Sequence, residues 1–134
     1  MLLVDTLGLL LRVLVVPANW NDRDLIKPLL YATPYSGSWE RIVVDGGFNS
    51  PAAANLCRKV FDIELLVVTR PAVNETKRKG FTPLPCRWVV ERTFAWLGRY
   101  RRFAKDYEVL TTVSESLITL ACINSLARRL ANVS

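Results

Sequence analysis

The stretch RIVVDGGFNSPAAANLCRKVFDIELLVV, Arg41 to Val68, reads as a strand, a helix and a second strand. Arg41 to Val44 is a short β-branched run that stops at Asp45-Gly46-Gly47. Ser50-Pro51 then opens a helix predicted to run to about Val60. Ser50 serves as N-cap, and Pro51 sits in the first turn, where its missing N–H is no loss. Ile63 to Val68 is again of the buried-strand type. Alternation of strand and helix in this order is the pattern of an α/β fold.

Towards the N-terminus, Leu2–Val4 and Leu9–Val16 are β-rich runs around Asp5-Thr6-Leu7-Gly8. Asp at the first position and Gly at the fourth suit a type I turn, so the opening reads as a hairpin. Pro17-Ala18-Asn19 ends it, and Asn21 or Asp22 can cap a short helix through about Tyr31. Thr33 to Ser38 is a loop. Towards the C-terminus, Arg70 to Pro85 is a polar segment with three prolines and a Lys77-Arg78-Lys79-Gly80 cluster. The cluster reads equally as a DNA-contacting loop or an exposed linker. A helix is predicted from Arg87 to about Ala104. Thr112-Val113-Ser114-Glu115 has the form of a capping box and opens a last helix to about Ala131. That helix is apolar nearly all round, as suits packing inside the domain or against a partner. No internal repeat divides residues 1–134, which read as one domain.

The 134 residues suffice for one moderate core, and an apolar content of 51% argues against disorder. Net charge is +6 with a pI near 9.6, and most of the excess lies from Arg58 onward. Such a balance favours an acidic partner, of which nucleic acid is the commonest. There is no histidine, which removes Ser-His-Asp, Cys-His and His-metal chemistry. Cys57, Cys86 and Cys122 have neither zinc-site spacing nor an even number for a disulfide framework, so a cytoplasmic setting and small apolar core roles fit them. The apolar N-terminus lacks a basic leader and a cleavage site, and Asp5 interrupts it. It is too short to span a membrane and reads as buried strands.

The run RWVVERTFAWLGRYRRFAKDYE, Arg87 to Glu108, sets Glu91 among cations. As one helix it would place Arg87, Ala95, Gly98, Arg102 and Lys105 within roughly 40° of Glu91, with Val89, Thr93, Trp96, Tyr100 and Phe103 opposite. A carboxylate on a basic face suits a metal ligand beside a polyanion. Asp45 offers a second carboxylate at the carboxyl end of a strand, where α/β folds place ligands. Its two following glycines allow close backbone approach. Two carboxylates converging on Mg²⁺ or Mn²⁺ are the usual means of phosphoryl transfer at a phosphodiester.

The segments VDTLGLLLRVLVVPANWNDRD, VVDGGF and RWVVERTFAWLGRYRRFAKDYE resemble bacterial insertion-sequence transposases of the DDE type. The likeness is to the insertion sequence 5 group, within the insertion sequence 4-like superfamily, and covers Leu2 to about Leu130. It implies a ribonuclease-H-like fold, a mixed sheet with flanking helices, and metal-dependent cutting and joining of DNA at transposon ends. By the resemblance Asp45 matches the second catalytic aspartate and Glu91 the catalytic glutamate, both binding metal. Arg87 matches the arginine of the Tyr-Arg-Glu-Lys signature. The signature tyrosine would fall near Leu84 and its lysine near Gly98, so Arg99 or Arg102 substitutes as a phosphate contact. Arg92, Arg101 and Lys105 complete the expected DNA-binding set.

The first catalytic aspartate of the family lies on a strand before the matching segment. Asp5 instead falls in the hairpin turn, which accounts for it. The chain is therefore expected to be the N-terminally truncated, C-terminal part of a catalytic domain, inactive or nearly so alone. Its expected partners are DNA (transposon ends and target) and either a second copy or an upstream reading-frame product, with no membrane. The alternative is a non-catalytic DNA-binding or regulatory remnant that pairs with full-length transposase, or a translated relic. Structural readings stand beside the functional ones. Asp45 can serve its turn, Glu91 can pair with Arg87, the arginines can be solvated charge, and Trp88 can pack or stack on a base.

Overall fold

The computed structural model describes residues 1–34, 37–69, 87–105 and 107–132, with the Arg87 side chain outside the description. The predicted polar segment Arg70–Pro85, including Lys77–Lys79, and Cys86 lie outside the described residues. The fold is mixed α/β. Its strands form two separate pairs among the described residues: an antiparallel hairpin and a parallel pair. The chain divides into two compact units, residues 1–20 with 89–134, and residues 21–88.

The second unit contains the strand–helix–strand stretch. Strand β3 (Arg41–Asp45) runs parallel to β4 (Glu64–Val68), pairing Arg41 with Glu64 through to Asp45 with Val68. Helix α2 (Pro51–Leu56) carries the crossover, and the Ser50 hydroxyl accepts from the Ala53 amide as its N-cap. The predicted helix continues to Phe61, but Cys57–Phe61 is wound as a wider π-helical turn. Asp62 closes it in the left-handed region at φ 55°. Its amide and that of Ile63 both donate to the Cys57 carbonyl, so one oxygen serves two terminal donors.

Helix α1 (Asp22–Ala32) begins where the Asn21 side chain accepts from the Arg23 amide. Leu25, Ile26, Leu29 and Leu30 recur at helical spacing and are all buried. Together with Ile42, Ala53, Cys57 and Ile63 they form the core of this unit. Tyr31 meets Phe61 edge-on, with ring centroids 5.6 Å apart. Burial pushes the thiols of Cys57 and Cys122 above the ordinary cysteine pKa, which keeps them protonated at neutral pH.

The first unit contains β1 (Leu2–Val4), β2 (Leu10–Val13), α3 (Arg87–Leu97, from Val89 onward) and α4 (Thr111–Ala131). The predicted turn forms: the Gly8 amide donates to the Asp5 carbonyl at 3.0 Å. The Asp5 carboxylate also accepts from the amides of Leu7 and Leu9, both at 2.8 Å. Regular pairing ends at Val13, short of the predicted Val16.

Two expectations need correction here. The long helix predicted to Ala104 stops at Leu97, because glycine at position 98 is a poor helix residue and the chain turns through Arg99. A short 3₁₀ turn, Arg101–Ala104, follows. The Tyr100 hydroxyl then anchors the turn to α4, 3.0 Å from the Ala121 carbonyl and 3.3 Å from the Ser125 hydroxyl. The second correction concerns the capping box. α4 starts at Thr111, with Leu110 at the N-cap and no side-chain cap. Glu115 instead accepts from the Val15 amide at 2.9 Å, a bond that joins α4 to the chain after β2. With the N-cap at Leu110, Thr112 and Glu115 lie inside the helix, and the box spacing no longer meets its start.

Candidate functional site

Asp45 is the last residue of β3 and is exposed. The backbone after it coils into a 3₁₀ turn, Gly46–Phe48, which Asp45 caps by accepting from the Gly46 amide at 2.6 Å. The two glycines have distinct surroundings. A Cβ on Gly46 would come within 3.3 Å of Thr69 Cγ2, and one on Gly47 within 3.5 Å of Asp22 Oδ2. The Asp22 carboxylate thus lies beside the turn that carries Asp45. Composition gave no reason to select Asp22, since as the first residue of α1 it is explained by the helix dipole.

Glu91 is exposed on α3, whose opposite side buries Val89, Thr93 and Leu97. That side rests on the hairpin turn. The Thr93 hydroxyl is 2.9 Å from the Gly8 carbonyl and 3.1 Å from the Val89 carbonyl, and it can donate to either. Arg92 Nη2 donates to the Leu7 carbonyl at 2.6 Å, and its guanidinium lies 4.9 Å from the Trp96 ring centroid. Gly8 has φ +77°, and a Cβ there would meet Thr93 Oγ1 at 3.1 Å and Arg92 Nη2 at 3.2 Å. Only glycine meets both conditions, the left-handed backbone and the close approach to α3. The sequence reading used Gly8 for the turn and missed that it also seats the Glu91 helix. Its signal was present, since a threonine in a helix interior is a residue in search of an acceptor.

The basic face is rearranged by the break at Gly98. Arg87 opens α3 and Ala95 is exposed on it, whereas Gly98, Arg102 and Lys105 lie beyond its end and do not share its face with Glu91. Arg102 forms an ion pair with Glu108, and Lys105 Nζ lies 5.2 Å from the Tyr107 ring centroid. Arg99, Arg101, Arg102 and Lys105 are all exposed, so the cations remain on the surface while their register differs from a single helix. Asp45 stands in the second unit and Glu91 in the first.

The carboxylates of Asp45 and Glu91 are hard oxygen donors of the kind that Mg²⁺ or Mn²⁺ takes. Among the described residues no three of His, Cys, Asp and Glu come together as a ready metal cluster. The two donors fit such an ion in kind. No described helix is long and apolar enough to cross a membrane.

Comparison with curated proteins and with solved structures finds no match. The family model described as a transposase DDE domain matches residues 1–126. The match takes in the hairpin, the Asp45 strand and the Glu91 helix alike. The chain belongs to the transposase DDE domain family.

Proposed function

We propose that Asp45 and Glu91 are two carboxylates of a divalent-metal centre for cutting and joining DNA at transposon ends. In this reading the fold is ribonuclease-H-like, the family branch is the insertion sequence 5 group, and the chain is the C-terminal part of the catalytic domain. The observation that carries it is the placement of Asp45, exposed at the carboxyl end of a parallel strand and followed by Gly46-Gly47. Mg²⁺ or Mn²⁺, when bound, would activate the attacking hydroxyl and stabilise the leaving oxygen. The protein's own part is to hold Asp45 on a rigid strand end and Glu91 on a helix seated against the hairpin. The basic residues Arg87, Arg92, Arg99, Arg101, Arg102 and Lys105 supply positive charge for the DNA backbone, with Arg92 also fastened to Leu7.

We further propose that a third carboxylate must be supplied by another segment, and that the chain alone does not cut DNA. Asp5 supports this reading, because both Leu7 and Leu9 amides already engage its carboxylate in the turn.

The experiment is strand cleavage of supercoiled DNA carrying the element's ends, with Mn²⁺, by the chain with and without the upstream coding segment. Cleavage is expected only with the segment present. Asp45→Ala and Glu91→Ala should each lower it by more than about 100-fold, beyond the usual effect of disturbing a metal ligand's supporting contacts. Cleavage that survives both substitutions would refute the metal-carboxylate assignment. DNA retention without cleavage in every combination would favour the non-catalytic, regulatory reading.

A further inference from the structure

The turn after α3 and the last turns of α4 enclose a groove of about 590 Å³. Its lining is Trp96, Arg99, Tyr100, Ser125, Arg128 and Arg129, with Asn132 at the end. Three arginines thus line one concavity, and among the described residues no Asp or Glu lines it. Among the described residues no acidic side chain pairs with Arg99, Arg128 or Arg129.

The arginines are not loose surface charge. The Arg129 guanidinium lies 5.2 Å from the Trp96 ring centroid, and Arg92 lies 4.9 Å from that same centroid. An arginine stacked on an indole has lost part of its rotamer freedom and keeps its outward N–H donors available. The floor is fixed as well. Tyr100 is held by the Ala121 carbonyl and by Asn124, whose amide donates to the tyrosine hydroxyl at 3.0 Å. Arg128 and Arg129 also complement the C-terminal end of the α4 dipole. That effect accounts for cations near a helix end. It does not account for their sharing one concave surface with a third arginine from a different segment. Like charges gathered this way repel one another and focus positive potential, which an anion relieves.

We infer that this groove is a binding site for the sugar-phosphate backbone of DNA, with Arg99, Arg128 and Arg129 as phosphate contacts. It joins Arg99, already expected to contact DNA, to two arginines that no motif singled out. The inference rests on the reading of DNA as substrate, and it adds the place where the duplex is gripped without chemistry.

The test is fluorescence anisotropy of a labelled duplex of arbitrary sequence, in EDTA, across a salt series. The triple variant Arg99→Ala, Arg128→Ala, Arg129→Ala should bind at least about 10-fold more weakly near 0.1 M salt. Its log–log salt slope should fall by roughly two to three. Arg128→Lys with Arg129→Lys should keep the salt slope, because the charges remain. Circular dichroism and thermal melting establish that each variant is folded. A folded triple variant with native affinity and slope would overturn the groove while leaving the DNA reading intact, the more so if Arg101→Ala with Lys105→Ala abolished binding. Failure of the unaltered chain to bind duplex even at low salt would instead overturn the DNA reading, and this inference with it.

Discussion

Asp45 and Glu91 are held in place by two different kinds of sequence information. Asp45 is positioned locally. Its strand, the Gly-Gly turn, the Ser50 cap and the returning strand all lie within Arg41–Val68. Glu91 is positioned from afar. The contacts that seat its helix come from Leu7 and Gly8, 85 positions earlier for both Arg92 and Thr93. One carboxylate can thus be read from its neighbours, whereas the other depends on a turn far away in the chain.

Gly8→Val should have the largest effect on how the Glu91 helix is seated. It imposes a β-branched residue at φ +77° and pushes a side chain into Thr93 and Arg92. The expected loss is about 3 kcal/mol, from left-handed backbone strain and overpacking together. Hydrogen exchange should speed up in α3 more than in β3 and β4; equal acceleration in both would contradict the division. Tyr100→Phe comes next. It removes the hydroxyl that joins the post-α3 turn to α4, and urea unfolding should show a loss of about 1.5 kcal/mol. Ser50→Ala tests the local side, with about 1 kcal/mol expected from loss of the N-cap and faster exchange centred on α2. Glu115→Gln is the mildest. The amide oxygen can still accept from Val15, so less than about 1 kcal/mol is expected, and a larger loss would show that the charge itself matters.

The extent to which the fold was legible follows the same division. The β3–α2–β4 unit could be read because β-branched runs, a Ser-Pro start and glycine stops are all short-range signals. The hairpin turn was legible for the same reason. What misled was periodicity continued past its punctuation. Arg87 to Ala104 sustains a plausible helical wheel, yet Gly98 ends the helix and Tyr100 finds its partners on α4. The capping box misled in a related way. Thr112 and Glu115 have the right spacing, but the helix starts earlier, with Leu110 as N-cap, and Glu115 accepts from the Val15 amide. Asp45 and Glu91 stood out in the sequence through residue type and surroundings. Asp22 beside Asp45, and Arg128 with Arg129 beside Arg99, became visible only when separate elements were brought together.

The Gly8–Thr93 contact also has a consequence in time. Ribosomes extend a chain at roughly 5–20 residues per second, so the hairpin turn waits about 4–17 s before Thr93 is made. A two-stranded hairpin is marginal by itself, and contacts this distant in sequence form slowly even in a finished chain. During synthesis the first strands must therefore persist as an unfinished edge, while the Arg41–Val68 unit can fold behind them. Chaperone demand should fall on the first 20 residues, and a slow folding phase should report α3 docking onto a turn translated long before it.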